Sequence, residues 1–187
     1  MKNIFVTGGT GFLGSHLLYK LTINGYSPIA IKRKTSNLEN IKKIFHGKMD
    51  FYKKIKWINC DLENLFTLKE NLKKNDIVFH CAGFVSFNKK EKNKIYETNY
   101  IGTKNLINLC LKKSIAKFCH VSSIATLSNV NKNTNEHDWF NFTHEKSDYA
   151  ISKHLGEMEV WRGFSEGLNG FIINPSLIIG PGDQNSL

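Results

Sequence analysis

With 187 residues and 41% hydrophobic content, the chain fits one globular domain with a sizeable core, and no apolar run approaches the roughly 18–20 residues of a membrane span. A net charge of +10 raises nucleic acid as a partner, yet the lysines are scattered and only Arg33 and Arg162 supply the guanidinium that reads base edges, so nucleic acid is set aside. The four cysteines, Cys60, Cys81, Cys110 and Cys119, form no CxxC pair and sit in or beside apolar stretches, which reads as reduced, buried thiols in a cytoplasmic protein.

Asn3-Ile4-Phe5-Val6 reads as a short buried strand, and the direct entry into it argues against a signal peptide. It runs into Thr7-Gly8-Gly9-Thr10-Gly11-Phe12-Leu13-Gly14, and a helix with Leu17, Leu18 and Leu21 follows, stopped by Asn24-Gly25. Pro28 to Ile31 is a second strand, Asn37 to Phe45 a helix, and Ile55 to Asn59 a third strand ended by Cys60-Asp61-Leu62. Glu63 to Lys73 places Leu65, Leu68 and Leu72 on one helical face; Asp76 to His80 is a fourth strand, followed by Cys81-Ala82-Gly83. The pattern predicts one long helix over Asn93–Lys113, a fifth strand over Phe118–Val121, a helix over Ser147–Phe164 and a sixth strand over Gly170–Ile173. The polar stretch Ser128 to Lys146 is too long for an idle connection and marks a candidate functional loop. This regular alternation predicts an α/β fold: a doubly wound sheet of at least six parallel strands in three α/β/α layers.

Ligands of such sheets sit beyond the carboxyl ends of the strands, here Gly8, Arg33, Asp61, Cys81, Ser123 and Asn174. The glycines between the first strand and its helix satisfy both GxGxxG (Gly9, Gly11, Gly14) and GxxGxxG (Gly8, Gly11, Gly14). Such a turn brings backbone N–H groups and a helix N-terminus close to a pyrophosphate, so a dinucleotide is expected. NAD-binding sheets carry an acid about 20 residues after the glycines, for the ribose hydroxyls. No acid occurs here between Gly14 and Glu39; the second strand ends in Lys32-Arg33-Lys34, which suits a 2′-phosphate, with Arg33 its principal reader. NADP is therefore expected, with NAD the alternative. Tyr149 and Lys153 stand at i and i+4, on one helical face, where an ammonium would lower the phenol pKa and fit it for carbonyl–alcohol proton transfer. Val121-Ser122-Ser123 places a serine at a strand end beside them.

These residues, with Asn99, Gly102-Thr103, Asn105 and Asn174-Pro175-Ser176 through Gly180-Pro181-Gly182, resemble the extended short-chain dehydrogenase/reductase family, also called the NAD-dependent epimerase/dehydratase family. The resemblance implies a Rossmann domain over residues 1–187 in which Gly8, Gly11, Phe12, Leu13 and Gly14 form the pyrophosphate turn. It implies that Asp61 and Leu62 hold the adenine, that Ala82 and Gly83 pass under its ribose, and that Pro175 and Ser176 lie near the nicotinamide amide. Tyr149 becomes the acid/base, Lys153 the ribose ligand, and Ser123, with Ser122 as runner-up, the residue that polarises the substrate oxygen. Asn99 takes the place of the family's structural asparagine.

Ile31-Lys32-Arg33 with Thr35-Ser36-Asn37, and Ile173-Asn174-Pro175-Ser176, look most like dihydroflavonol-4-reductase-type members. That favours hydride transfer between NADP(H) and a carbonyl or alcohol. A nucleotide-sugar epimerase or dehydratase using the same residues is the alternative, and a non-catalytic cofactor-binding module the second. Family members continue past Gly180-Pro181-Gly182 into a substrate-binding portion that these residues lack, so exposed apolar surface is expected where it would pack. The resemblance also suggests a homodimer through the two long helices. His137, Asp138, His144 and Glu145 show no metal-ligand spacing and read as a solvated loop, with no metal expected. Trp139, Phe140 and Phe142 either contact substrate or anchor that loop. His16 is expected on an exposed helix face and His120 inside the sheet.

Overall fold

A four-residue apolar strand is stable only between neighbours that satisfy its backbone and cover its faces. The computed structural model, which describes residues 3–62, 64–127, 138, 140, 142 and 146–181, assembles six such strands into one sheet. They are β1 (Ile4–Thr7), β2 (Ile29–Lys32), β3 (Lys56–Asn59), β4 (Ile77–His80), β5 (Lys117–Val121) and β6 (Gly170–Ile173). The spatial order is β3-β2-β1-β4-β5-β6 and every pairing is parallel, which makes this a Rossmann-type α/β fold. The direction of winding reverses between β1 and β4, so a crevice opens beyond their carboxyl ends.

Side chains alternate between the two faces of each strand. Ile4 and Val6 face one layer, with Leu18 of α1 (Phe12–Ile23) and Ile41 and Phe45 of and after α2 (Glu39–Ile44). Phe5, Val78 and Phe118 face the other, against Leu68 and, after it, Leu72 of α4 (Leu65–Asn71), Leu106 and Ile107 of α6 (Gly102–Lys113), and Val160 of α7 (Asp148–Ser165). A short helix, α3 (Met49–Tyr52), has no counterpart in the sequence pattern, which offers too few residues to show a period.

The long helix expected over residues 93–113 is not continuous. It begins as α5 (Lys92–Tyr96), widens into a π-helical turn over Glu97–Ile101, and resumes as α6. The wide turn falls on Asn99, whose side chain is buried and fully bonded. Among the described residues β6 pairs only with β5, and its Phe171 and Ile173 are exposed, as are Leu177 and Ile179 beyond it. No helix among the described residues is long and apolar enough to cross a membrane.

Candidate active site

At the crevice, backbone approaches backbone. Gly8 leaves β1 with φ of +68°, a conformation costly for any side chain, and a Cβ on it would lie 2.5 Å from Ala82 N. A Cβ on Gly14 would lie 2.1 Å from Gly8 O, so the first turn of α1 can sit beneath the loop only because that position is bare. Gly11 N donates to Gly8 O at 3.0 Å and closes the turn. The N-terminus of α1 has no side-chain cap and no acid in its first turn, which leaves its N–H groups and dipole to an anion.

The turn opens on a cleft of about 270 Å³ lined by Gly8, Thr10, Gly11, Ile31, Lys32, Arg33, Ser36, Cys60, Asp61, Leu62, Cys81, Ala82, Gly83, Phe84, Lys94 and Thr98. Seven residues singled out from sequence therefore share one wall: Gly8, Gly11, Arg33, Asp61, Leu62, Ala82 and Gly83. Gly14 packs under that wall, and Phe12 and Leu13 are half-buried in the helix turn beside it. Pro175 and Ser176 follow β6; Pro175 O accepts from Ile124 N at 3.0 Å and Ser176 is exposed. The cations at the end of β2 divide. Lys32 Nζ donates to Asn59 Oδ1 at 2.8 Å, whereas the exposed Arg33 is on the cleft wall, its turn shaped by Arg33 N donating to Ser36 Oγ at 3.0 Å. Asp61 Oδ1 accepts from Leu62 N at 2.7 Å, which orients the carboxylate. Sequence reasoning quoted Thr10 and Ser36 within motifs without giving them a role, and missed Phe84, Lys94 and Thr98. The i, i+4 spacing of Lys94 and Thr98 was the available signal, and Lys94 Nζ sits 4.0 Å over the Phe84 ring.

Behind the cleft runs a buried hydrogen-bond chain whose proton order can be derived. Thr103 Oγ1 donates to Asn99 O at 2.7 Å, so at His80 it must accept, which puts the ring proton on Nε2 at 2.9 Å. His80 Nδ1 then accepts from Thr7 Oγ1 at 2.7 Å, and Thr7 Oγ1 in turn accepts from Ala82 N at 3.2 Å. Burial, with the Lys153 charge adding to it, drops the His80 pKa to about 3, so the ring is neutral. Asn99 finishes the scaffold like a rung of sheet: Oδ1 accepts from Phe84 N at 2.8 Å, and Nδ2 donates to Phe84 O at 2.9 Å and to Ser152 Oγ at 3.0 Å. His120 is buried next to His80, ring centroids 5.1 Å apart, and neither of its ring nitrogens has a partner among the described residues. Burial holds its pKa well below the ordinary value, with the Lys153 charge adding to that.

The second half of the site is built by α7. Ser147 caps it, accepting from Ala150 N at 3.1 Å; Tyr149 lies in the first turn and Lys153 one turn later. Lys153 is buried and its Nζ donates to Val121 O at 2.8 Å, at the end of β5. Burial pulls its pKa down to about 8, opposed by Glu157 and Cys81. Tyr149 lies beside Ser123; burial raises the phenol pKa and the neighbouring Ser123 hydroxyl acts the other way. The expected lowering by Lys153 is not seen, because the ammonium is turned to a carbonyl and the phenol is largely dehydrated. Ser122 Oγ donates instead to Glu157 Oε2 at 2.6 Å, so of the two serines it is Ser123 that stands beside the phenol.

Phe140 stacks on His154 of α7 at 4.1 Å and 9°, with the exposed Phe142 edge-on to the same ring at 5.2 Å, so these two anchor to the helix. His137, Trp139, His144, Glu145 and Gly182 lie outside the described residues. His16 is half-buried rather than free on a helix face: its Nε2 is 2.9 Å from Pro181 O and its ring meets Phe12 edge-on.

Known proteins resemble the chain in sequence and in fold. The family described as the NAD dependent epimerase/dehydratase family matches residues 4–187. Dihydroflavonol 4-reductase of Arabidopsis thaliana is 28% identical over 192 residues, covering 96% of this chain and 50% of that protein. Among solved structures, UDP-glucuronic acid 4-epimerase from Bacillus cereus in complex with NAD superposes with a TM-score of 0.81 at 22% identity, covering 98% of this chain and 58% of that one. The yeast methylglyoxal/isovaleraldehyde reductase Gre2 complexed with NADPH gives 0.77 at 22% identity, with 96% and 59% covered. The chain spans about half the length of the relatives it matches.

Proposed function

Since the chain belongs to the NAD dependent epimerase/dehydratase family, a family of enzymes, we propose that residues 1–187 are the dinucleotide-binding portion of an NADP(H)-dependent carbonyl reductase or alcohol dehydrogenase. The observation that carries the reading is that α7 places Tyr149 and Lys153 one turn apart, with Lys153 bonded to Val121 O at the end of β5 beside Ser123, at the same carboxyl edge of the sheet as the glycine turn.

A nicotinamide dinucleotide fits the residues present. The bare positions Gly8 and Gly14, the uncapped N-terminus of α1 and a cleft carrying Lys32, Arg33 and Lys94 suit two phosphates and a further anionic group. When bound, the cofactor supplies or accepts the hydride. The protein does the rest. Gly8, Gly11, Phe12, Leu13 and Gly14 would form the diphosphate turn, with Asp61, Leu62, Ala82 and Gly83 around the adenosine and Pro175 and Ser176 near the amide. Ser123 holds the substrate oxygen, and Tyr149 Oη gives it a proton in reduction or takes one in oxidation. Lys153 holds the ribose. Tyr149 also sits in the first turn of α7, where the helix dipole favours phenolate. Arg33, on the cleft wall just past the end of β2, where the sequence carries no acid between Gly14 and Glu39, favours NADP(H) over NAD(H).

The second reading is a nucleotide-sugar epimerase, with the same trio and a hydride that leaves and returns. Fold likeness to the Bacillus cereus epimerase does not separate the two, because the reductase Gre2 shares that fold at the same identity. Full-length protein is to be incubated with NADPH and a panel of carbonyl compounds and UDP-sugars. Net oxidation of NADPH supports the reductase, sugar interconversion without net oxidation supports the epimerase, and binding without turnover of either refutes both.

A further inference from the structure

We propose that Glu157 is a positioning residue for this site: its carboxylate ties the end of β5 to the segment after β6 so that Ser123 is presented to Tyr149, and it keeps Lys153 charged. The proposal rests on the reading above for what Ser123, Tyr149 and Lys153 do.

Three side chains converge on one oxygen. Ser122 Oγ lies 2.6 Å, Thr126 Oγ1 2.9 Å and Asn174 Nδ2 2.9 Å from Glu157 Oε2, while Trp161 Nε1 reaches Oε1 at 3.4 Å. Ser122 precedes Ser123, and Thr126 ends the short 3₁₀ turn that follows it, Ile124–Thr126. Asn174 comes from the next strand connection, and its Nδ2 is also 2.9 Å from Thr126 Oγ1 and 3.3 Å from Ser123 O. The Thr126 hydroxyl has one proton and two acceptors, Glu157 Oε2 and Ser123 O, the latter at 2.8 Å, so it can hold Ser123's backbone or the carboxylate but not both at once. Ser123 is flanked by Ser122 and Asn174, which Glu157 anchors, with Thr126 alternating between Ser123 O and the carboxylate, while the Ser123 Oγ accepts from Ala125 N at 3.1 Å. An ionised acceptor makes such bonds shorter and roughly twice as strong as a neutral one.

The same carboxylate is one helical turn beyond Lys153. The other titratable groups around that ammonium are Cys81 after β4, His80 on β4, His120 on β5 and Tyr149 on α7. Burial holds Cys81 at about 12 and both imidazoles neutral, and raises the phenol, so at neutral pH none of them carries negative charge. Glu157 is left as the anion that favours the charged amine.

Two variants separate the parts. Glu157→Gln keeps one acceptor oxygen for the three donors and removes the charge; Glu157→Ala removes both. In cofactor-free protein with isotope-labelled lysine, the Lys153 resonance, assigned by its loss in Lys153→Met, is titrated by NMR. Its midpoint, near 8 in the parent, is expected to fall by about one unit in Glu157→Gln. In steady state, Glu157→Ala is expected to lower kcat by roughly tenfold or more, because Ser123 and Tyr149 are no longer held in register. The alkaline limb of the kcat profile should move with the NMR midpoint. An unmoved midpoint in Glu157→Gln, or parental kcat in Glu157→Ala, overturns the proposal. If the parent turns over nothing, the functional reading fails by itself and the titration alone decides the role of Glu157.

Discussion

The two halves of the site are made of different material. The nucleotide cleft is built from backbone: a glycine at positive φ, a helix whose first N–H groups are uncapped, and a Cα packed under a carbonyl. The Ser123–Tyr149–Lys153 corner is built from side chains, held by bonds that span 17 to 35 residues of sequence around Glu157. Backbone construction tolerates almost no added atoms but is indifferent to charge. Side-chain construction has room, and depends on which groups are ionised.

That contrast can be broken at either end. Tyr149→Phe removes one oxygen from the side-chain half; kcat is expected to fall by roughly 10²–10⁴-fold with cofactor affinity retained, as read by stopped-flow turnover and fluorescence titration. Gly14→Ala adds one carbon to the backbone half, within 2.1 Å of Gly8 O, and should cost about 1–3 kcal/mol in thermal or urea unfolding while weakening nucleotide binding. Parental stability and affinity in that variant would mean that the turn can relax, contrary to the packing described. Arg33→Ala should leave stability unchanged and reduce the preference for NADPH over NADH by about tenfold, the loss of one charge-assisted pair, measured as the ratio of Kd values.

Acid sharpens the difference further. His80 is neutral in the fold with a pKa near 3, against 6.5 when unfolded. Between those values the unfolded chain binds the extra proton, so stability falls as pH drops, by up to about 1.4 kcal/mol per unit from this ring alone. His120, also depressed, adds to the slope. Lys153 acts at the other end: its pKa falls from 10.5 to about 8 on folding, so the unfolded chain again binds more protons and stability rises between pH 8 and 10.5. Urea midpoints across pH 4–10 check both slopes, and a flat acid limb would contradict the burial of the two imidazoles.

How much could be read from the amino acids follows the same division. The six strands and the glycine turn are local patterns of period, turn chemistry and spacing, and each appears in the fold within a residue or two of its expected bounds. Tyr149 and Lys153 were legible because helical spacing alone puts them together. Glu157 extends that same spacing by one more turn, but its partners Ser122, Thr126 and Asn174 are gathered only when β5 and β6 pair, which no local pattern reveals. The choice between Ser122 and Ser123 was open for the same reason. Tyr149's direction of shift was misjudged because spacing reports proximity and not burial, and burial is the larger cause here. The short helix over Met49–Tyr52 and the break in the helix after Tyr96 carry no periodic signature at all.

That break amounts to one surplus residue trapped inside a helix. At about 100° of rotation per residue, removing it would swing everything on one side of Glu97–Ile101 by more than a quarter turn relative to the other. Asn99 would then face away from Phe84, or Gly102 onward would lose its seat against the sheet. Engineering that regularises this helix for the sake of stability would therefore uncouple the floor of the nucleotide cleft from the layer that supports it.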